Sequence, residues 1–359
     1  MAFKSLDPED FVVSSDSVTS TVWSNNSPSL NTFFTSSTQT EGTSGPYYIN
    51  VYQTASLDDT AAVQFQIAYA NKNGGGGVNF DSSVPFVSPT TTIYGQYRTL
   101  ILEDENSNFV WGETFTGSAD NDFYVISIER ARYKQSLLPG TLNLFLSSSN
   151  ENATNTPVIK LTDNSGMVTL PTFYGTQRVY QLISGSDGVA YNAGISGGTG
   201  FTQNSGSYGW FCPDISTILL NAAALDDNSP TGGGINIATV TGSDEFGGNP
   251  TKLYNCISGS VGLSGVDNIF DLNSQETISS DYVFIRARNN EFNYTENPSF
   301  ISGSTGEVIY PYFINNPQTF PTTVGMYNDS NDLLAVAKLS RPIQKDFTKE
   351  ALIRVKLDF

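Results

Sequence analysis

From residue 353 onward apolar and charged residues alternate without exception: Ile353, Val355, Leu357 and Phe359 against Arg354, Lys356 and Asp358. Successive side chains of a strand point to opposite faces, so a period of two fits a half-buried strand and no helix. A strand that runs to the terminal carboxylate must be paired along its length, in its own sheet or a neighbour's, or its backbone groups go unsatisfied. The same period recurs at Tyr47, Ile49 and Val51, and again at Val63, Phe65, Ile67 and Tyr69. Further short apolar runs lie at residues 124–128, 142–146, 158–161, 282–287, 308–313, 324–327 and 333–339. Turn residues such as Pro139-Gly140 and Asp163-Asn164-Ser165-Gly166 bound them. This pattern predicts a mainly β chain: two β-sandwich-like domains, a glycine-rich insertion and one or two short helices.

Residues 1–45 read as an extended N-terminal arm. No basic residue occurs between Lys4 and Lys72, and Ser14 to Ser44 holds 17 Ser or Thr in 31 positions, with Val18, Val22, Trp23, Phe33 and Phe34 as apolar anchors. Such a segment suits an arm lying along another surface, or an edge strand plus loop of the first domain. Residues 46–165 are expected to form a first β domain, 166–250 a Gly/Ser-rich insertion with a short helix, and 251–359 a second β domain ending in the C-terminal strand. Ser88-Pro89 ahead of Ile93, Tyr97, Leu100 and Ile101 reads as a short helix with Ser88 as N-cap. Asp214 followed by Ile215, Ile218, Leu219, Ala222 and Leu225 gives the best helical stripe in the chain. The turn from Asn328 to Asp332 predicts a hairpin over 323–339. A short echo between residues 124–132 and 282–288 hints at related domains, and a shared strand-end solution explains it equally well.

At 359 residues the chain can bury two or three self-sufficient cores, so neither disulfide nor metal is needed for stability. The net charge of −18 argues against nucleic acid, because counterion-releasing phosphate contacts need clustered Lys and Arg. No apolar run approaches the roughly 18 to 20 residues that cross a bilayer, and the first residues lack the apolar stretch of a signal peptide. No membrane insertion and a soluble, unexported product are therefore expected. The two cysteines, Cys212 and Cys256, lack metal-type spacing and read as buried free thiols, with a mutual disulfide as the alternative.

The chain has no histidine, which removes Ser-His-Asp and Cys-His nucleophilic sites, histidine-zinc sites and imidazole acid–base chemistry together. A GxSxG pattern at Gly194 to Gly198 sits in a glycine-rich loop instead of a strand-to-helix elbow, so it reads as an accident of composition. Carboxylate pairs at Glu103/Glu105, Asp120/Asp122 and Asp244/Glu245 could serve a glycosidase, and read more simply as solvated acidic loops. Nothing matches a calcium-loop signature. No catalytic residue, metal or cofactor is assigned.

Arg130/Arg132 and Arg286/Arg288, each two apart, would project to one face of a strand and present a double fork to carboxylates. They would pair either with local Asp and Glu or with an acidic neighbour. Residues 338–359 carry six basic residues against three acidic ones, which makes this end attractive to the acidic body of its own or an adjacent subunit. The candidate interface is Trp23, Phe33, Phe34, Arg130, Arg132, Arg286, Arg288, Lys345, Lys349, Ile353, Val355, Leu357 and Phe359.

Five runs carry a family resemblance: residues 124–140 (YVISIERARYKQSLLPG), 292–298 (FNYTENP), 316–319 (NPQT), 323–339 (TVGMYNDSNDLLAVAKL) and 347–359 (FTKEALIRVKLDF). In them, and over roughly half its length, the chain resembles a family of virion structural proteins of T4-like myoviruses, of the marine and cyanophage type. The resemblance implies a tail or baseplate location, assembly in the host cytoplasm and repetition by particle symmetry, with no catalytic motif. The expected function is that of a structural subunit whose partners are other virion proteins and copies of itself. The alternatives are a receptor-binding or tail-fibre protein recognising host surface glycan through loops such as 185–208, and a capsid or neck decoration protein. A glycan depolymerase using two carboxylates ranks last.

Overall fold

The computed structural model describes residues 4–35, 48–77, 80–84, 87–111, 121–148, 158–190, 208–227, 234–243, 248–263, 265–295 and 297–358. In chain order the first strands and helix are β1 (Phe11–Thr21), β2 (Ser29–Leu30), β3 (Phe34–Thr35), β4 (Tyr48–Tyr52), β5 (Val63–Asn71) and α1 (Pro89–Leu102). There follow β6 (Asp122–Ile128), β7 (Ser136–Leu137), β8 (Asn143–Ser147), β9 (Val158–Asp163), β10 (Thr172–Tyr174), β11 (Gln177–Ser186) and β12 (Val189–Ala190). Then come β13 (Gly209–Cys212), β14 (Thr217–Asn221), α2 (Ala222–Asp226), α3 (Asn249–Ser258) and β15 (Phe270–Asp271). The last are β16 (Asn273–Ala287), α4 (Pro311–Asn315), β17 (Thr323–Tyr327), β18 (Leu333–Lys338) and β19 (Ala351–Asp358). The protein is mainly β, as its alternation predicts, with four short α-helices among the described residues where one or two were expected.

The chain divides into two units, Val18–Glu276 and Met1–Ser17 with Thr277–Phe359. This differs from the expected boundaries at 45, 165 and 250. The reason is hydrogen bonding: the larger unit is organised by one antiparallel sheet in the order β2-β15-β8-β9-β11-β13-β14-β6-β5-β4-β3, with β10 and β12 pairing off β11. Residues 166–250, read as an insertion, supply β11, β13 and β14 to the middle of that sheet.

Those central strands are buried on both faces. Tyr124, Ile126 and Ile128 of β6 join Phe65, Ile67 and Tyr69 of β5 and Ile218 and Leu220 of β14 on one side. Phe123, Val125, Ala70 and Leu219 face the other. A strand covered twice needs no polar alternation, which is why the apolar run around 215–225 imitates a helix. It is instead β14 followed by the five-residue α2, whose N-cap is Asn221, accepting from the Ala223 N–H at 3.1 Å. Asp214, expected as a cap, takes the Arg178 guanidinium, with Nε 3.0 Å from Oδ2.

The first face is closed by curling. Phe65 of β5 and Phe270 of β15 meet edge-on at 5.4 Å. Trp23 packs against both, its Nε1 donating to the Pro28 carbonyl at 2.9 Å and the Phe270 carbonyl at 3.1 Å. α3 packs against β5 and β8 and puts Leu253, Cys256 and Ile257 into the same core. The opposite face is covered by α1 through Tyr94 and Ile101, with Phe109, Trp111 and Trp210. α1 begins at Pro89 after Ser88, as the sequence predicts. Between β13 and β14 the backbones approach so closely that a Cβ at Gly209, whose φ is +138°, would lie 1.8 Å from the Leu219 carbonyl oxygen.

The smaller unit holds a sheet in the order β1-β16-β19 and the hairpin β17–β18, the latter over the span that its Asn328–Asp332 turn predicts. Val283, Ile353 and Val355 form its buried centre. Val324, Met326 and Ala337 of the hairpin pack against them, with Leu339 and Ile343 from the chain just beyond it.

Candidate assembly surface

In the smaller unit β19 pairs antiparallel with β16 over its whole length, from Ala287 opposite Ala351 to Ser280 opposite Asp358. Its alternation is used as the sequence requires. Ala351, Ile353 and Val355 point into the core while Leu352, Arg354 and Lys356 stay exposed. The exposed face is cationic over an aromatic floor: the Arg354 guanidinium lies 5.5 Å and the Lys356 ammonium 5.9 Å from the Tyr282 ring centroid. Lys356 is also 2.8 Å from Asp358, which holds the lysine above its ordinary pKa and the carboxylate below its own; Ser280 reinforces the latter with a 2.6 Å hydrogen bond.

Along the other side of β16 runs β1, whose residues are exposed on nearly every position, Phe11, Val12 and Val13 among them. The hairpin exposes Leu334 and Val336 on its outer face, and Leu333 at its end is exposed as well. More than half of the exposed large hydrophobics among the described residues fall in this unit, which holds fewer than a third of the residues. Its buried apolar core is small by comparison. A unit that leaves this much apolar surface in water has the character of a contact surface.

The expected interface residues divide three ways. Trp23 and Phe33 are buried in the larger unit's core, so they are not surface anchors, while Phe34 is exposed on β3. Anchoring the arm in its own unit is what the aromatic contacts of Trp23 with Phe65 and Phe270, and of Phe33 with Phe65, achieve. Arg130 and Arg132 are not on a strand: β6 ends at Ile128 and the pair sits in a 3-10 turn, with Arg130 over the Tyr133 ring at 4.7 Å. Arg286 is on β16 and exposed, paired with Glu350 at 2.9 Å, and Arg288 follows the strand end, its N–H donating to Glu291. Lys345 is fully buried, its ammonium donating to the Asn289 carbonyl, Asn293 Oδ1 and the Asp346 carbonyl, so it is an internal strut. Lys349 is exposed and 3.7 Å from Asp346. Ile353 and Val355 are core residues, Leu357 packs at the core's edge, and Phe359 lies outside the described residues.

Sequence reasoning missed the exposed apolar set on β1 and the hairpin. The signal was present in adjacent apolar pairs, Val12-Val13 and Leu333-Leu334: in a strand with one covered face, one member of such a pair must face outward.

Of the residues weighed for chemistry, Gly194 to Gly198, Asp120, Asp244 and Glu245 lie outside the described residues. Glu103 accepts from the Thr176 N–H at 3.1 Å. Asp122 is buried and accepts from the Tyr69 hydroxyl at 2.7 Å; burial, with the neighbouring Asp226 charge, pushes its carboxyl up to about 6. Cys212 and Cys256 are buried, without a disulfide between them, in the cores on opposite faces of the sheet, and burial pushes the Cys212 thiol up. Among the described residues no three His, Cys, Asp or Glu side chains group as a metal site, and no helix is long and apolar enough to cross a membrane.

Comparisons with protein-family models, with curated proteins and with solved structures return no match to this chain.

Proposed function

We propose that this chain is a non-enzymatic structural subunit of a tailed-phage virion, placed in the tail or baseplate and working by subunit–subunit contact. The observation that carries the reading is the imbalance of the smaller unit, which exposes Phe11, Val13, Leu334, Val336 and Leu352 while burying only a modest core. Surfaces of that kind are stable in water only at a cost in solubility, and burial in an assembly removes it. The family resemblance of residues 124–140 and 292–359 supplies the kind of assembly. The test is sedimentation of the purified chain with tail and baseplate fractions of disrupted particles. Retention in those fractions is the expected outcome, and a chain that neither self-associates nor binds any fraction would sink the reading.

A second reading, recognition of host surface glycan, has one observation in its favour. Tyr310 and Tyr312 are exposed with ring centroids 5.5 Å apart, an arrangement on which sugar rings can stack. Saturable binding to host polysaccharide that is lost in Tyr312→Ala would favour this over a purely structural role.

A further inference from the structure

Within the smaller unit β16 is the middle strand, flanked by β1 and β19, and among the described residues no strand pairs with the outer edge of either flank. An open edge presents a row of unpaired N–H and C=O groups, a template for another strand. β1 lacks the devices that blunt such an edge: over its eleven residues it has no proline, no lysine and a single charge, Asp16. β19 carries Arg354 and Lys356, which repel a second β19 but not an acidic strand. The segment leading into β1 is acidic in turn, with Asp7, Glu9 and Asp10.

Strand directions make the two edges compatible. Lys4, ahead of β1, donates to the Arg286 carbonyl near the end of β16, whereas Ser20 near the end of β1 shares a 2.7 Å hydroxyl hydrogen bond with Ser274 near the start of β16. β1 thus runs antiparallel to β16, as does β19, and the two edges run in the same direction. A copy placed alongside would meet β19 with its own β1 in parallel. Val12 and Asp16 are four positions apart, as are Leu352 and Lys356, so a single parallel register puts apolar beside apolar and acid beside base.

We propose that copies of this chain join edge to edge, the outer edge of β19 in one copy pairing with the outer edge of β1 in the next, so that one sheet continues from subunit to subunit. This rests on the assembly reading and names its partner, a second copy. The contact is heterologous, and repetition therefore closes into a ring or extends into a stack, where a symmetric contact would stop at a dimer.

The test mixes two full-length variants, Val12→Cys and Leu352→Cys, under oxidising conditions; the native thiols are buried. The expected result is a disulfide-linked pair holding one chain of each kind, with no linked pair when either variant is oxidised alone. Linked pairs from a single variant would show a symmetric contact and overturn the proposal. Oligomers by light scattering without any cross-link would overturn it too and leave the assembly reading intact. A charge exchange provides a second measurement: Asp16→Lys and Lys356→Asp should each weaken self-association by roughly fivefold, and the double variant should recover it. Absence of recovery in a folded double variant counts against the register.

Discussion

Phe65 and Phe270 stand 5.4 Å apart although six strands separate β5 from β15 along the sheet, and this contact is what turns an open sheet into a closed core. Both rings are fully buried, and Trp23 touches each of them. Truncating either ring removes the aromatic contact and opens a cavity at the closure. Phe65→Ala and Phe270→Ala should each cost about 3 to 5 kcal/mol of unfolding free energy by urea titration. A double-mutant cycle should return a coupling of about 0.5 to 1.5 kcal/mol, and a coupling of zero would mean that the closure does not depend on this pair.

Asp122 provides a pH signature. Its folded-state pKa of about 6 lies above the ordinary 3.8, because burial penalises the charged form more than the Tyr69 hydrogen bond helps it. As pH falls through 6 the folded chain takes up a proton that the unfolded chain does not yet bind, so this group's contribution to stability increases until about pH 4. The penalty is complete above pH 6. Asp122→Asn removes the titration, so the stability of the native chain relative to the variant should rise by on the order of 2 kcal/mol between pH 7.5 and pH 4. A difference that stays flat across that range would refute it.

Lys345 separates an internal role from the surface role that its sequence position suggests. Its ammonium is the shared donor for Asn289, Asn293 and Asp346 oxygens in a buried spot. Lys345→Met leaves those acceptors unpaired and should lower stability by about 2 to 4 kcal/mol, read by thermal unfolding. Lys349→Ala, at an exposed and weakly paired position, should change stability by less than about 0.5 kcal/mol.

The thiols give a direct probe of the larger unit. Both cysteines are fully buried, in cores on opposite faces of one sheet. A thiol reagent should label neither in the native chain and both in denaturant, with labelling rates that follow global unfolding. Rapid native labelling of Cys212 alone would show that the α1 face opens separately.

The features most legible in the sequence are those with one covered face. β19 and the hairpin of β17 and β18 announce themselves by alternation, and α1 by Ser88-Pro89; β5, though covered on both faces, is legible because Gln64, Gln66 and Ala68 still alternate with its large residues. β14, covered on both faces, carries no such signal: Thr217-Ile-Leu-Leu-Asn221 has no polar side, and its apolar spacing suits a helix equally well until the partners on either hand are known. The burial of Trp23 is illegible for a related reason. A large apolar residue in a polar segment identifies something to be buried without saying whose core receives it, and here the receiving carbonyl belongs to Phe270, far along the chain. The Arg-Ala-Arg repeats were alike in sequence and unlike in fold, because β6 stops before its arginines while β16 continues to Ala287.

The pairing of β2 with β15 also dictates a timetable. Leu30 lies opposite Phe270 and Asn31 accepts from the Ile269 N–H at 2.8 Å, so one margin of the large sheet cannot be completed until residue 271 has left the ribosome. Until then β8 has a bare flank and Trp23 has no Phe270 carbonyl to bind. Contacts this distant in sequence fold slowly, and synthesis that halts short of residue 270 would release a chain with its aromatic interior open to water.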